Sequence, residues 1–388
     1  MNTCIVHDWI ATYAGSEKVV QSIYNTFPQS HLATLFAKPG PLNQMHMSNL
    51  PLQTTFLQKL PLASRSHRYL LPLMPFAVEQ LDLTPYDLII SSAHAVAKGI
   101  ITSPDQLHIC YMHTPTRYAW DLQNQYLSSK SLKTKLLNPL MRLALHRFRI
   151  WDQLAGQRPD LIIANSHYIA RRIQKIYKRA AHVIYPPVDV DRFKPQTNRD
   201  SFFLTVTRAV PYKRLDLIVR AFNQTNHTLK IVGSGPQLSY LKKIAKPNIQ
   251  FLEHQPDKTV TELMQTCRAF VFTALEDFGI SPVEAMAAGA PVIALGQAGT
   301  AETVIHQSTG LLFPEQTPQH LLAAINQFTD TSTNFDPNYI ANHAQQFSIQ
   351  RFESQIKTYI QEQYHLFQER KNEHLQAQPH LLSAASQN

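Results

Sequence analysis

Three segments in the second half of this chain gather residues suited to an anionic, hydroxyl-rich ligand. Arg208-Ala-Val-Pro-Tyr-Lys213-Arg214 follows the apolar run Phe202–Thr207. Two cations five residues apart at the carboxyl end of a strand can clamp a diphosphate, the guanidinium as a planar fork and the ammonium as a point charge. Gly233-Ser-Gly235-Pro236 follows Leu229–Val232. Glycines there would let backbone N–H groups approach a phosphate at a helix start. A tight turn explains a lone Gly-x-Gly equally well, because the third glycine of a dinucleotide fingerprint is missing. The third segment runs from Glu276-Asp-Phe278-Gly279-Ile280-Ser281-Pro282-Val-Glu284 through Ala285-Met-Ala287-Ala288-Gly289. Pro282 fits the first turn of a helix and Ser281 its N-cap. That spacing predicts Glu276 in a loop and Glu284 on the first turn, both turned to ligand hydroxyls. Gly279 and the small Ala285, Ala287, Ala288 and Gly289 suit close approach of backbone and ligand. In the first half, Thr3–Trp9 leads to Ala14-Gly15-Ser16-Glu17, and Leu107–Tyr111 leads to Met112-His113-Thr-Pro-Thr-Arg117-Tyr-Ala-Trp120-Asp121.

These segments all lie at the carboxyl ends of predicted strands. Strand-like runs alternate with helical patterns, the signature of parallel βαβ units. The first-half strands are Thr3–Trp9, His31–Phe36, Asp87–Ser92, Leu107–Tyr111, Asp160–Ala164 and His182–Tyr185. The second-half strands are Phe202–Thr207, Thr228–Val232, Ile249–Leu252, Ala269–Thr273 and Pro291–Ala294. Three prolines in Tyr185-Pro-Pro-Val-Asp-Val-Asp-Arg-Phe-Lys-Pro195 interrupt the pattern. The expected fold is therefore α/β, with two Rossmann-like doubly wound domains facing each other across a cleft. Residues 1–190 would form the first domain and residues 198–347 the second. A helix over 348–367 would pack back towards the first, and 368–388 would be a disordered tail.

Composition narrows the function classes. With 44% hydrophobic and 16% charged residues the chain is globular. Cys4, Cys110 and Cys267 lack zinc-like or redox-like spacing and read as buried thiols in a reducing compartment. Asp189-Val-Asp191 matches a metal-binding pair, but it sits in the proline-rich linker, so no metal and no cofactor are expected. The N-terminus has no signal-peptide pattern and no run is long enough for a membrane span. The expected location is the cytoplasm or the cytoplasmic face of the inner membrane. Residues 1–195 hold 21 Lys and Arg against 11 Asp and Glu, whereas residues 196–388 hold 15 against 16. Such asymmetry points to an anionic partner for the first half. No nucleic-acid module is recognisable. Basic amphipathic stretches at Phe56–Phe76 and Lys130–Arg149 point instead to peripheral contact with an anionic membrane, or else to packing on the first domain's own sheet.

Over nearly its whole length the chain resembles glycosyltransferase family 4, which is retaining and has the GT-B fold. The carriers are Arg208 with Lys213, Gly233-Ser-Gly-Pro236, Glu276 with Glu284, and Gly299-Thr-Ala-Glu302 followed by Gly310-Leu-Leu-Phe. The stretch His113–Asp121 resembles a subgroup rich in bacterial mannosyltransferases of cell-surface polysaccharide synthesis. The resemblance implies that Glu284 binds the donor ribose and Glu276 lies beside the donor sugar. It implies that Arg208 and Lys213 hold the diphosphate, and that His113 sits close to the reacting sugar. The remaining implied donor contacts are Gly15, Gly233, Gly235, Phe278, Gly279, Ile280 and Ser281. The family often has Gly-Gly-Ala-Glu where this chain has Ala14-Gly15-Ser16-Glu17. The expected activity is transfer of a hexose, mannose from GDP-mannose, to a lipid-linked or saccharide acceptor. A UDP-sugar donor and a sugar-nucleotide-binding protein without transfer activity stand as alternatives.

Overall fold

The structure, a computed structural model, describes residues 1–60, 67–121, 123, 132–331 and 335–385. The chain forms two compact units. Unit 1 comprises Met1–Asn165, Ile169–Ile184 and Phe352–Asn388, and unit 2 comprises Ser166–Tyr168 and Tyr185–Arg351. The changeover at Ile184/Tyr185 directly precedes the first two linker prolines.

Unit 1 contains β1 (Thr3–His7), β2 (His31–Thr34), β3 (Leu52–Thr54), β4 (Leu88–Ala93), β5 (Leu107–Met112), β6 (Leu161–Ala164) and β7 (His182–Val183). All pair in parallel in the order β3-β2-β1-β4-β5-β6-β7. Every residue of β1, β4 and β5 is buried, since helices cover both faces of such a sheet, so the polar His7, Ser91, Ser92 and His108 among their apolar neighbours need partners inside the protein. Edge strand β3 was not foreseen in the sequence. Its three residues, Leu-Gln-Thr, are half-buried or exposed and carry no apolar run. The principal helices are α1 (Gly15–Thr26), α2 (Leu132–Ala155) and α3 (His167–Tyr177).

Unit 2 contains β8 (Phe203–Val206), β9 (Leu229–Val232), β10 (Ile249–Glu253), β11 (Ala269–Phe272), β12 (Val292–Leu295) and β13 (Gly310–Phe313). They are again all parallel, in the order β10-β9-β8-β11-β12-β13. Edge strand β13, too, was not foreseen as a strand. Helices α4 (Leu215–Phe222) and α5 (Ile280–Ala287) follow the two central strands.

The last helix, α6 (Ile349–Ala385), buries Phe352, Ile356 and Ile360 in the unit 1 core beside Ile109, Tyr111 and Ile184. Its length corrects the expected disordered tail. The helix runs through 368–385, a stretch rich in Gln, Glu, Lys and Arg, which have good helix propensity.

A buried charge network in unit 1 fixes the segment that follows β5. The Asp152 carboxylate, on α2, accepts hydrogen bonds from Lys98 Nζ at 2.7 Å, Thr116 Oγ1 at 3.0 Å, Trp120 Nε1 at 2.7 Å and Tyr177 OH at 2.8 Å. Breaking a buried ion pair by deleting one partner typically costs about 3–5 kcal/mol. Thr116 and Trp120 are thus tied down only a few residues beyond His113.

On β5, His108 is buried and its Nε2 lies 2.8 Å from Ser91 Oγ. Burial, with a smaller contribution from the Arg158 charge, pushes its imidazole down to about 3. In the unfolded chain the ring takes its proton near pH 6.5. The folded state therefore binds fewer protons across that window. His108's contribution is complete above about pH 6.5 and is lost progressively as pH falls towards 3. Thermal denaturation should accordingly show a lower midpoint at about pH 5 than at about pH 7.5, with the difference reduced in His108→Gln. An equal acid shift in the variant would remove His108 from this account.

Candidate functional site

In each sheet the strand order reverses once, between β1 and β4 in unit 1 and between β8 and β11 in unit 2. Loops leaving such a pair diverge to opposite faces of the sheet and leave a crevice at the carboxyl edge.

In unit 2 the crevice-forming loops carry Arg208 and Lys213 after β8 and Glu276 after β11. Lys213 Nζ lies 3.0 Å from Glu276 Oε1, an ion pair without hydrogen-bond alignment. The ammonium also lies 5.6 Å from the ring centroids of both Tyr212 and Phe272. Thr273 Oγ1 donates to the carbonyls of Lys213 and Arg214 at 3.2 and 3.1 Å, locking the β8 loop onto the end of β11. Arg208 is exposed and donates through Nη2 to the Tyr212 hydroxyl at 3.1 Å. The structure thus brings together the two cations and one carboxylate singled out in the sequence.

The glycines fit the tight-turn reading of the Gly-x-Gly. Gly233 and Gly235 have φ of 137° and 154°, and a Cβ on Gly233 would stand 2.0 Å from the Thr207 carbonyl oxygen. The Gly233 N–H is engaged by the Glu253 carbonyl at 2.6 Å. The Gly-x-Gly therefore allows backbone to lie on backbone. Ser234 O and Ala209 N bond at 2.9 Å, and Gln237 N bonds to Ala209 O at 3.0 Å, which shapes the loop bearing Arg208.

The third segment needs three corrections. Helix α5 begins at Ile280 and its N-cap is Gly279 at φ 91°, so Ser281 lies inside the first turn and is not the cap. Glu284 is then the fifth helical residue, on the second turn. Phe278 is buried, its ring 5.7 Å from Tyr185 and 5.4 Å from Phe347. Ala285, Ala287 and Ala288 are buried, and α5 packs against the helix Pro337–Ala344, so their smallness serves helix packing. At Gly289, φ is 75° and an added Cβ would meet Pro337. Ile280 and Ser281 remain half-buried.

Arg192 was not foreseen as part of the site. Its Nη2 donates to Glu284 Oε1 at 3.0 Å, its Nη1 is 3.8 Å from Asp257, and its guanidinium covers the Phe193 ring at 4.6 Å. In the sequence it is one more charge in the linker beside the Asp189/Asp191 pair. Only the return of the linker to α5 distinguishes it. Asp191 itself accepts from Gln350 Nε2 at 2.9 Å. Among the described residues no group of three or more His, Cys, Asp or Glu comes together as metal ligands.

In unit 1 the reversal is lined by protein groups that satisfy one another. Asp8, just beyond β1, accepts from the backbone N–H groups of His94, Ala95, Val96 and Ala97 at 2.6, 2.9, 2.6 and 2.6 Å. Burial would raise its carboxyl, but the neighbouring His94 and His7 and these N–H groups bring it below the usual range. Gly15 opens α1, whose Glu17 accepts from Ala14 N at 3.1 Å and Ser16 Oγ at 2.9 Å. His113 follows β5, with Nε2 2.8 Å from Ser92 Oγ.

Two family models match consecutive stretches of the chain. Glycosyltransferase Family 4 covers residues 13–192 and Glycosyl transferases group 1 covers residues 188–346. The chain belongs to glycosyltransferase family 4. Among its relatives is the alpha-1,3/1,6-mannosyltransferase ALG2 of Mus musculus, 26% identical over 243 residues, covering 52% of this chain and 58% of that protein. Another is the D-rhamnosyltransferase WbpZ of Pseudomonas aeruginosa, 30% identical over 203 residues, covering 47% and 51%. A third is the GDP-mannose-dependent alpha-(1-6)-phosphatidylinositol monomannoside mannosyltransferase of Mycobacterium tuberculosis, 28% identical over 206 residues, covering 45% and 52%. The match spans little more than half the length of each of these relatives. Among solved structures, HepE of Anabaena in complex with UDP superposes with a TM-score of 0.68 at 18% identity, covering 93% of this chain and 100% of that one. Sucrose-phosphate synthase of Thermosynechococcus elongatus gives 0.69 at 16% identity, covering 94% and 100%. At such identity the likeness is one of fold, and the fold is GT-B.

This geometry sets the expectation for mutants. Lys213→Ala and Glu284→Ala should each lower sugar-transfer activity at least ~100-fold, the scale of losing one preorganised charge contact, while the chain stays folded. Arg192→Ala, which removes the Glu284 partner, should raise the donor KM about tenfold. Steady-state kinetics with circular dichroism as the folding control checks all three. Near wild-type turnover in Lys213→Ala or Glu284→Ala would place the donor elsewhere.

Proposed function

We propose that the protein is a retaining glycosyltransferase that moves mannose from GDP-mannose to a lipid-linked or saccharide acceptor. The observation that carries this reading is the meeting of Arg208, Lys213 and Glu276 at the strand reversal of unit 2. Cleaving a glycosyl–phosphate bond develops negative charge on the departing diphosphate, and two cations held ready at that point stabilise it. Glu284, oriented by Arg192, takes the ribose hydroxyls. Glu276 lies beside the sugar. No protein nucleophile is assigned, because the leaving phosphate can assist the acceptor on the same face. No metal is required where Arg and Lys neutralise the diphosphate. The choice of mannose rests on the His113–Asp121 resemblance and on relatives named as mannosyltransferases. HepE crystallised with UDP-glucose keeps the UDP-sugar alternative in view.

We infer that the acceptor lies at an anionic membrane surface, a reading supported by the outer face of α2. One side of this helix buries Leu145, Phe148 and Ala155. The other exposes Leu140 (66%), Leu143 (50%), Ile150 (54%) and Leu154 (61%) around Arg147. Those spacings share one helical face, and an apolar face interleaved with cations suits the lipid headgroup boundary. The packing alternative considered for this stretch does not cover these four side chains. Leu73 and Phe76 are exposed nearby, their segment joined to α2 by the Trp151 Nε1 bond to Glu79 at 2.8 Å. Of the cations in the stretches Phe56–Phe76 and Lys130–Arg149, Arg65 and Lys130 lie outside the described residues, as do the side chains of Arg68, Lys133 and Lys135. Among the described residues no helix is long and apolar enough to cross a membrane.

Two experiments test these readings. In a screen of nucleotide sugars, GDP should be released from GDP-mannose with acceptor present, and release of UDP alone would refute the donor. In flotation with anionic vesicles the protein should rise at low salt and detach at high salt, where screening shortens electrostatic reach to about 3 Å at 1 M. Failure to float at low salt would point to a soluble acceptor.

A further inference from the structure

Four buried or half-buried groups in unit 1 form a continuous chain that ends on His113. In the parallel register His7 stands opposite Ser92, and Ser92 opposite Tyr111. His7 Nδ1 lies 3.0 Å from the Ser92 carbonyl oxygen and 3.1 Å from Ser92 Oγ. Ser92 Oγ lies 2.8 Å from His113 Nε2. At the far end His7 Nε2 faces Glu17 Oε1 at 3.9 Å, a charge contact too long for a hydrogen bond.

The direction of each bond follows from what the atoms can do. A carbonyl oxygen only accepts, so the 3.0 Å contact requires the proton on His7 Nδ1. Ser92 Oγ therefore cannot donate to His7. Its hydroxyl proton has His113 Nε2 as the acceptor at hydrogen-bond distance, and a fully buried hydroxyl left without an acceptor would be costly. His113 Nε2 is thus an acceptor, and the proton of the neutral ring belongs on Nδ1.

We propose that Glu17, His7 and Ser92 are positioning residues that hold His113 as a neutral Nδ1–H donor for a hydroxyl of a sugar ligand at the carboxyl edge of the unit 1 sheet. The proposal rests on the glycosyl-transfer reading for the ligand, but the tautomer itself does not.

The electrostatics agree with the geometry. Burial, then the charges of His94 and His7, pull His113 down to about 3, so the ring is neutral at physiological pH. Burial alone would lower His7, yet Glu17, Asp8 and the Ser92 carbonyl together raise it. Glu17 is brought down to about 2, where His7 overcomes the cost of burial. The other titratable groups facing the cluster are Asp8, 3.1 Å from His94 Nδ1, and His94, whose ring lies 5.7 Å from His7 and 6.3 Å from His113. The Tyr111 ring packs against His113 at 5.2 Å.

The tautomer can be read by long-range proton–nitrogen NMR on the full chain labelled at histidine, with the His113 signals assigned by their loss in His113→Asn. The expected wild-type pattern is a protonated Nδ1 and an unprotonated Nε2, unchanged between about pH 6 and 8. Ser92→Ala should shift the ring towards the Nε2–H form and lower kcat/KM about tenfold, and Ser92→Thr, which keeps the hydroxyl, should restore both. A wild-type His113 protonated on Nε2, or a tautomer unmoved by Ser92→Ala, would overturn the relay whatever the activity. A protein with the Nδ1–H tautomer that transfers no sugar from any donor would keep the relay and overturn the glycosyl-transfer reading.

Discussion

Parallel strands cannot be joined by tight turns, so each connection must cross a face of the sheet, and a sheet covered on both faces must reverse its winding once. Everything chemical in this chain follows from where those reversals fall. At β1/β4 and at β8/β11 the backbone diverges, and the strand ends present side chains and N–H groups that neighbouring strands cannot satisfy. In unit 1 the protein meets that demand largely from within. One carboxylate, Asp8, answers four consecutive N–H groups, and His7, Ser92 and His113 satisfy one another. In unit 2 the reversal is furnished with long charged side chains.

Those charges are held in pairs. Lys213 with Glu276 and Arg192 with Glu284 each join a cation from one loop to a carboxylate from a distant segment. A pair of this kind keeps both side chains oriented and partly neutralised. On the proposed reading a diphosphate or a ribose would meet groups already close to their working positions, and less ordering would be required at the moment of binding. The site is also supported from beneath. Gly233 and Gly235 let the loop after β9 lie against Thr207 and Ala209, and Thr273 ties the loop after β8 to the end of β11. Similar support holds the His113 segment through Asp152, where a buried lysine, a tryptophan and a tyrosine converge on one carboxylate.

The central strands were legible in the sequence because burial on both faces favours apolar runs such as Cys4–Val6 and Ala269–Phe272. The edges were not. β3 is three residues long and half solvated, and β13 begins at a glycine. Neither shows the pattern on which strand recognition depends. The end of the last helix was misread for a related reason. Polar composition argues for disorder where nothing packs, but the same residues have good helix propensity and continue a helix that Phe352, Ile356 and Ile360 have already anchored.

The amino-acid sequence by itself determined the α/β alternation, the linker at the prolines, the identities of Arg208, Lys213, Glu276 and His113 at or just beyond strand ends, and that of Glu284 on the helix after β11. Those are properties of short stretches of chain. Tertiary structure alone decided that Arg192 serves Glu284, that Gly279 and not Ser281 caps α5, and that the small residues of α5 face another helix. It alone decided that a serine on β4 links two histidines from β1 and the end of β5. Each of these depends on segments tens of residues apart meeting within a few ångströms, or on the sign of one backbone angle. Residue type and spacing constrain neither until the sheets have set the register.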